Sequence, residues 1–571
     1  MKLFIIDGIG PFFRGCSAEV INWSKAPFAH LERDNGLDPA LAQQIRVDFR
    51  TFCYRAAQAG FNAVTLDDLA HCCVFPFYSD GLRHKMIDYR RLYHDLFATA
   101  AEFGMKVLVT TDLLFFNEEI ENHVAPKDTA LRRFAGHACR QLFEEFPEVG
   151  GLVVRIGEAD GQDVVGDFRS RIVIRTPRQA RLMIQSILPI FEEYDRLLIF
   201  RTWSVGIGRV GDINWNPLTF DKVFNGLEND HLIISMKHGQ SDFFRYLPLN
   251  RLFFRGQHRM LIEFQARREY EGFGEYPSFT GWDCERIRDE LIGQTHLVGL
   301  SVWCQTGGWS GFRRLTWLDE NAVWSEINAY VTIRLFRDNV TTDQAIQQYY
   351  RENWPDPHWR PLQELLRLSD EAVKELLYIE DFASRHIFFR RLRVPPLVNV
   401  YWRYIIVNHF MRKFMRCYVT DGRRAVEQGR RALDKIRRMK ELTLHLGLPV
   451  EDLDFQYDTF EILAAVREYY FLEFSEEIIE RLKTLKTDYE RKYEEPRYTV
   501  MLDFSRFRFR RGHLQLMLRV FFRGEHAYRR FDRIVSLKIL SRIYPLLKRF
   551  NKSVVPEFAT DSAMGFDSIF K

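Results

Sequence analysis

Short runs of apolar and β-branched residues recur over the first three hundred positions, and stretches with helical spacing separate most of them. The runs are KLFIIDG from Lys2, NAVTLDD from Asn62, KVLVTTD from Lys106, GLVVRIGE from Gly151, RLLIFRTW from Arg196, HLIISMKHG from His231, RMLIEFQA from Arg259 and HLVGLSVW from His296. Each is short, apolar and bounded by polar residues, as a buried strand is. PALAQQIRVDFRTFCYRAAQAG before the second run and YRRLYHDLFATAAEFG before the third carry apolar residues at helical spacing. Eight buried strands alternating with helices predict an α/β chain built on a (β/α)8 TIM barrel over residues 1–340. A doubly wound open sheet is the alternative.

The pattern changes near residue 340. Strands become scarce, and long amphipathic stretches such as GRRAVEQGRRALDKIRRMKELTLHL (422–446) and EEIIERLKTLKTDYERKYEE (476–495) take over. Residues 341–571 are therefore expected to form a mainly α-helical C-terminal domain packed against the barrel, and this domain offers a surface for a homodimer.

Composition narrows the function classes. Apolar residues at 46% and charged residues at 28% are the balance of a globular protein, and aromatics at 15% suit a large core with a lined pocket. A net charge of +4 over 571 residues is no basic stripe, so no nucleic-acid partner is expected. MKLFIIDGIGPFF lacks the long apolar core and cleavage pattern of a signal peptide, and no window approaches the ~18 apolar residues of a membrane span. The eight cysteines, with Cys72 and Cys73 adjacent, form no CxxC pair. A cytoplasmic protein with reduced thiols and no membrane partner is expected. No HExxH, paired CxxC or calcium-loop motif occurs, so neither metal nor cofactor is expected. VGIGRVGD (205–212) has the GxGxxG outline of a dinucleotide site, yet INWNP follows where a helix must open.

In such a barrel the chemistry gathers at the C-terminal ends of the strands. There the fourth run ends in Glu158 after Arg155, the fifth in Arg201 and Trp203, and the sixth in Lys237, with Asp242 in its loop. The seventh carries Glu263 inside LIEF and the eighth ends in Trp303. Three carboxylates, several cations and several tryptophans on one rim suit glycoside hydrolysis, which needs one carboxyl group as acid and another to activate water or attack the sugar. Each residue also has a plainer role open to it. Glu158 can cap its loop or pair with Arg155, Asp242 can be a turn residue, and the tryptophans can be packing. Glu263 has the least room for one, because a buried unpaired charge costs several kcal/mol.

FPEVGGLVVRIGEADGQ, LLIFRTWSV, HLIISMKHGQSDF and RMLIEFQARREY occur in this order at four consecutive predicted strands. Together they resemble the barrel of the α-glucuronidases of glycoside hydrolase family 67. The likeness extends over GFNAVTLDDL, GMKVLVTTDLLFF and GGWSGFRRLTWLDENAVWSEINAYVTIRLFRDNVTTDQAI, covering roughly residues 1–350. It implies an inverting exo-glycosidase that removes an α-linked uronic acid from an oligosaccharide. Glu158 then matches the general acid, Asp242 and Glu263 the pair that positions and deprotonates water, and Arg201 the arginine that binds the uronate carboxylate. Arg155 stands near where the family carries a uronate-holding lysine, and Trp203, Lys237 and Trp303 complete the expected binding set. The chain departs from the family in three ways: strand 1 begins at the first residues, Arg155 is shifted in register, and the proline after the acid motif is missing. Two alternatives remain, a retaining glycosidase with Glu263 as nucleophile and a catalytically inactive glycan-binding barrel.

Overall fold

A computed structural model of the protein describes residues 1–18, 26–33, 36–156, 166–204, 206, 208–305, 314–389, 391–397, 400–401, 403–493, 497–505, 511–522, 546 and 549. Each apolar run holds a strand: β1 (Leu3–Asp7), β2 (Ala63–Asp67), β3 (Lys106–Asp112), β4 (Val149–Arg155), β5 (Leu197–Arg201), β6 (Leu232–Lys237), β7 (Arg259–Gln265) and β8 (Leu297–Trp303). All eight are parallel, pair in chain order, and close into a barrel where β1 bonds to both β2 and β8.

Strand alternation sorts each run into an inner and an outer set. Ile5, Ala63, Leu108, Val153, Ile199, Ile233 and Leu261 form one apolar layer inside the barrel. Their neighbours, such as Ile6, Val64, Val107, Val154, Phe200, Ile234 and Ile262, pack outward against the helices. Because both faces are covered, the strands read as almost unbroken apolar runs. The glycine pair that opens β4 has a packing reason, since a Cβ on Gly151 would lie 2.1 Å from the carbonyl oxygen of Leu197 on β5.

The outer layer comprises α1 (Pro39–Ala59), α2 (Asp80–Glu102), α3 (Asp128–Glu145), α4 (Pro177–Glu193), α5 (Pro217–Phe224), α6 (Gly281–Glu290) and α7 (Val323–Arg337). Local sequence sets their ends. The Asp38 carboxylate accepts from the amides of Ala40 and Leu41 to start α1, with proline at the first helical turn and Gly60 as its left-handed stop. A Thr176–Gln179 capping box starts α4. Between β6 and β7 the described crossover carries a single 3-10 turn, Arg251–Phe254, in place of an α-helix.

Beyond α7 come α8 (Thr342–Asn353), α9 (Arg360–Ala372), α10 (His409–Tyr418), α11 (Gly422–His445), α12 (Glu451–Phe471) and α13 (Glu476–Lys492). The region is mainly helical, with two small sheets besides. A hairpin pairs Phe388–Phe389 with Leu392–Arg393, and Val400–Tyr401, Tyr404–Asn408 and Thr499–Asp503 form three strands. This region is bolted to the loops above the strands through its hairpin and two of its helices. Trp215 Nε1 donates to Arg391 O at 2.9 Å, Gln456 Nε2 to Pro277 O at 3.3 Å, and Arg245 Nη1 to Asp370 Oδ1 at 2.9 Å. Among the described residues no helix is long and apolar enough to cross a membrane.

Candidate active site at the barrel mouth

Two residues above the apolar layer the barrel interior changes character. Alternation puts Asp7, Thr65, Thr110, Arg155, Arg201, Ser235 and Glu263 on the same inward face, one step nearer the C-terminal ends of the strands. A further step brings Asp67, Asp112, Trp203, Lys237 and Gln265. The sequence thus builds a charged floor beneath the mouth, and every charge in it must be answered locally.

Glu263 finds three donors. Arg201 Nε lies 2.9 Å from Oε2, Ser235 Oγ 2.7 Å from Oε1, and Trp303 Nε1 3.2 Å from Oε2. The Arg201 guanidinium also rests 4.4 Å from the centre of the Trp303 ring. The side chains of Glu263 and Arg201 are 1% and 5% exposed, so this is a buried ion pair sealed by an indole. Register explains the contact: Ser235 pairs with Arg201, and Lys237 with Glu263, across adjacent strands.

Asp242 occupies the loop after β6. Its Oδ1 pairs with Lys237 Nζ and accepts from the Phe243 amide at 2.9 Å, while Oδ2 accepts from Tyr270 Oη at 3.0 Å. Lys237 Nζ sits 3.7 Å from the Trp203 ring centre and 4.5 Å from that of Phe243, where both π faces stabilise the cation. Lys237 and Ser235 are two residues apart on β6, about 6.6 Å along a strand, so Asp242 lies roughly one step above Glu263. His238, next along, turns outward. It lies 5.6 Å from Phe264 with the rings nearly parallel, and burial pushes its pKa down to about 3.

Arg155 is fully buried, its Nε 3.2 Å from Asp112 Oδ1. Glu158, the expected acid, lies outside the described residues, so the structure brings together Arg155, Arg201, Trp203, Lys237, Asp242, Glu263 and Trp303 without it. The sequence reading passed over several neighbours. Asp7, Asp67 and Asp112 end the first three strands, and FIID, TLDD and VTTD carried that signal at one repeated strand-end position. Asp67 accepts from the Ala26 amide at 2.9 Å and Asp68 from His71 Nδ1 at 2.5 Å. Asp7 joins β1 to the exit of β8, accepting from the amides of Cys304 and, at 3.0 Å, Gln305. Burial drives its carboxyl up to about 6, and those amides only partly oppose the rise. Ser235 and Tyr270 lie inside HLIISMKHGQSDF and RMLIEFQARREY, yet neither was assigned a role, because a hydroxyl in a loop or strand is ordinary there. Among the described residues no three His, Cys, Asp or Glu side chains are grouped to hold a metal.

A closed eight-stranded parallel barrel with ion-paired carboxylates and indoles at its C-terminal mouth, followed by a helical region, defines the class of fold. Among solved structures, the chain is similar to a GH138 enzyme targeting pectin rhamnogalacturonan II, with a TM-score of 0.52 and 10% identity over 86% of this chain. This chain spans 61% of that enzyme's length. A mutant of the Thermobaculum terrenum O-GlcNAc hydrolase matches at TM-score 0.39 and 7% identity, covering 79% of this chain and 88% of that one. A D-allulose 3-epimerase from Methylomonas sp. matches at TM-score 0.33 and 11% identity, covering 59% and 98%. The first of these likenesses is one of fold, and the other two are too loose to carry an argument. No protein-family model and no curated protein matches the chain, so the family 67 resemblance rests on the strand-end motifs alone.

Proposed function

We propose that the protein is a glycoside hydrolase whose active site is the barrel mouth, and that it removes an α-linked uronic acid from an oligosaccharide. The observation that carries this reading is the charged inner layer: Glu263 with Arg201, Asp242 with Lys237 and Tyr270, and Trp203 and Trp303 beside them. Indole faces suit sugar C–H groups, and the planar guanidinium forks of Arg155 and Arg201 suit contact with a uronate carboxylate.

Asp242 is the base of this mechanism. Donors on both of its oxygens hold one carboxylate orientation, and a fixed carboxylate can take a proton from water without reorganising. Glu263 lies deeper, with donors on both oxygens. That suits it to orienting the water and balancing Arg201, and makes direct attack on carbon a poorer use of it. Glu158, three residues along the sequence from the end of β4, serves as the general acid on the leaving oxygen, which gives inversion. Arg201 and Arg155 each have a carboxylate beside them, and Lys237 answers Asp242. The uronate carboxylate is therefore bound by cations it shares with Glu263, Asp112 and Asp242.

The test is hydrolysis of a panel of oligosaccharides ending in α-linked glucuronic or galacturonic acid, pectic fragments included, each beside its neutral counterpart. Release of the uronic acid with inverted anomeric configuration is expected. Neutral sugars released at equal rates would overturn the acidic substrate class. Binding without release would make the protein a glycan-binding barrel.

A further inference from the structure

The two loops that present Asp242 and Tyr270 run into a buried charge cluster that the proposed chemistry does not use. Arg245 follows Asp242 by three residues and is buried. Its Nε donates to Glu271 Oε1 at 3.1 Å, and its Nη1 to Asp283 at 3.0 Å and Asp370 at 2.9 Å. Its Nη2 donates to Ser278 Oγ and Phe279 O, both at 2.8 Å. Glu271 in turn follows Tyr270, whose hydroxyl holds Asp242. The same carboxylate accepts from Arg268 at 2.9 Å, from Ser278, and from Tyr378 at 3.3 Å. Arg268 also donates to the carbonyl of Phe243, the residue after Asp242.

Three of the groups that complete the cluster come from the helical region: Asp370 on α9, and Lys374 and Tyr378 just beyond it. Lys374 bonds Asp283 at 3.1 Å and Asp370 at 2.9 Å, and its carbonyl accepts from Tyr246 at 3.2 Å. Cations Arg245, Arg268 and Lys374 balance anions Glu271, Asp283 and Asp370, so the cluster is neutral as it stands. Burial raises the pKa of Glu271, but Arg245 and Arg268 outweigh it and hold the group down at about 2, ionised throughout the working range.

We propose that Arg245 is a positioning residue: through it and Glu271 the helical region sets the placement of the loops that carry Asp242 and Tyr270. The kinetic side of this rests on the hydrolase reading, whereas the structural side does not. The physical reason is leverage. A reacting group displaced by ~1 Å can lose on the order of 10²-fold in rate, and the chain just after Asp242 is tied to this cluster at Phe243 and Arg245.

Two full-length variants test it. Tyr378→Phe removes a single donor from Glu271 and leaves the other donors in place, and Asp370→Asn weakens the helical grip on Arg245. Hydrogen exchange is followed in peptides covering 239–246 and 268–276, with the barrel strands as internal reference. Exchange in these two loops is expected to quicken at least ~10-fold while the strands stay within ~2-fold of wild type. Loops as protected as in wild type, in variants that fold, overturn the inference whatever the substrate panel yields. With a cleaved substrate in hand, Tyr378→Phe is expected to lower kcat ~5–10-fold with KM within ~2-fold. An unchanged kcat in Tyr378→Phe, with the wild type active, also overturns it. A wild type inert toward the whole panel sinks the hydrolase reading alone.

Discussion

Replacing Glu263 by Gln keeps shape and volume while removing the charge that answers Arg201. The amide retains one acceptor, so one of the three donors around Oε1 and Oε2 loses its partner, and Arg201, 5% exposed, loses its counter-ion. Breaking one side of a buried ion pair costs about 3–5 kcal/mol, because the remaining charge stays desolvated. With an unfolding entropy of ~2.1 cal/mol/K per residue, a chain of 571 residues that melts as one unit loses roughly 0.8 °C per kcal/mol, so Tm should fall by about 2.5–4 °C. The companion variant Arg201→Met/Glu263→Gln removes both charges and should recover most of that loss, since an uncharged, well-packed pair is often neutral relative to the ion pair. Guanidinium denaturation of wild type, both single variants and the double variant gives the coupling energy, expected to be at least about 2 kcal/mol. A single Glu263→Gln loss under about 1 kcal/mol, or a double-variant loss equal to the sum of the singles, would refute the assignment of Glu263 and Arg201 as one buried unit.

Asp242→Asn should lower kcat on a cleaved uronate substrate by at least ~10²-fold with KM within ~3-fold, as expected of a lost base; unchanged turnover removes Asp242 from water activation. Asp7 makes stability depend on pH with a definite sign. Its folded carboxyl holds a proton up to about 6 against 3.8 for an ordinary aspartate, so the folded state binds the proton more tightly and stability rises as pH falls through 6 toward 3.8. Between pH 7 and pH 4 this contributes about 2 kcal/mol, measured as the difference in urea stability between wild type and Asp7→Asn; parallel pH curves for the two would refute it. We further propose that the chain divides at residue 340 but does not separate there. A fragment of residues 1–340 strips Asp370 from Arg245 and the Arg391 carbonyl from Trp215, so it should show no cooperative melt by calorimetry, and a melt within about 5 °C of the full chain would overturn this.

The barrel was legible in the sequence because each strand is buried on both faces and announces itself as a short apolar run. Seven of the eight strands fall inside their runs, and β4 (Val149–Arg155) starts two residues ahead of the run that begins at Gly151. The 3-10 turn at Arg251–Phe254 was not legible, since a sequence window cannot separate a short crossover from a short helix. Nor were strands such as Phe388–Phe389 and Leu392–Arg393, which are too short to show a period. At the site, Glu263 stood out as a charge inside LIEF, but its partner did not. Pairing Arg201 with Glu263 requires the register that sets Ser235 beside Arg201 and Lys237 beside Glu263, and spacing along one chain does not contain it. Asp7, Asp67 and Asp112 were visible as strand-end residues, yet their different duties depend on which backbone amides and cations lie opposite.

The cluster around Arg245 also bears on how this mouth could be re-engineered. Loops that present Asp242 and Tyr270 are not interchangeable cassettes, because part of their anchorage is encoded more than a hundred residues downstream, at Asp370 and Tyr378. Transplanting the barrel into a scaffold with foreign helices, or swapping in helices from a relative, would take Asp370 from Arg245 and Tyr378 from Glu271. A library aimed at new substrates must diversify both segments together, or leave both untouched.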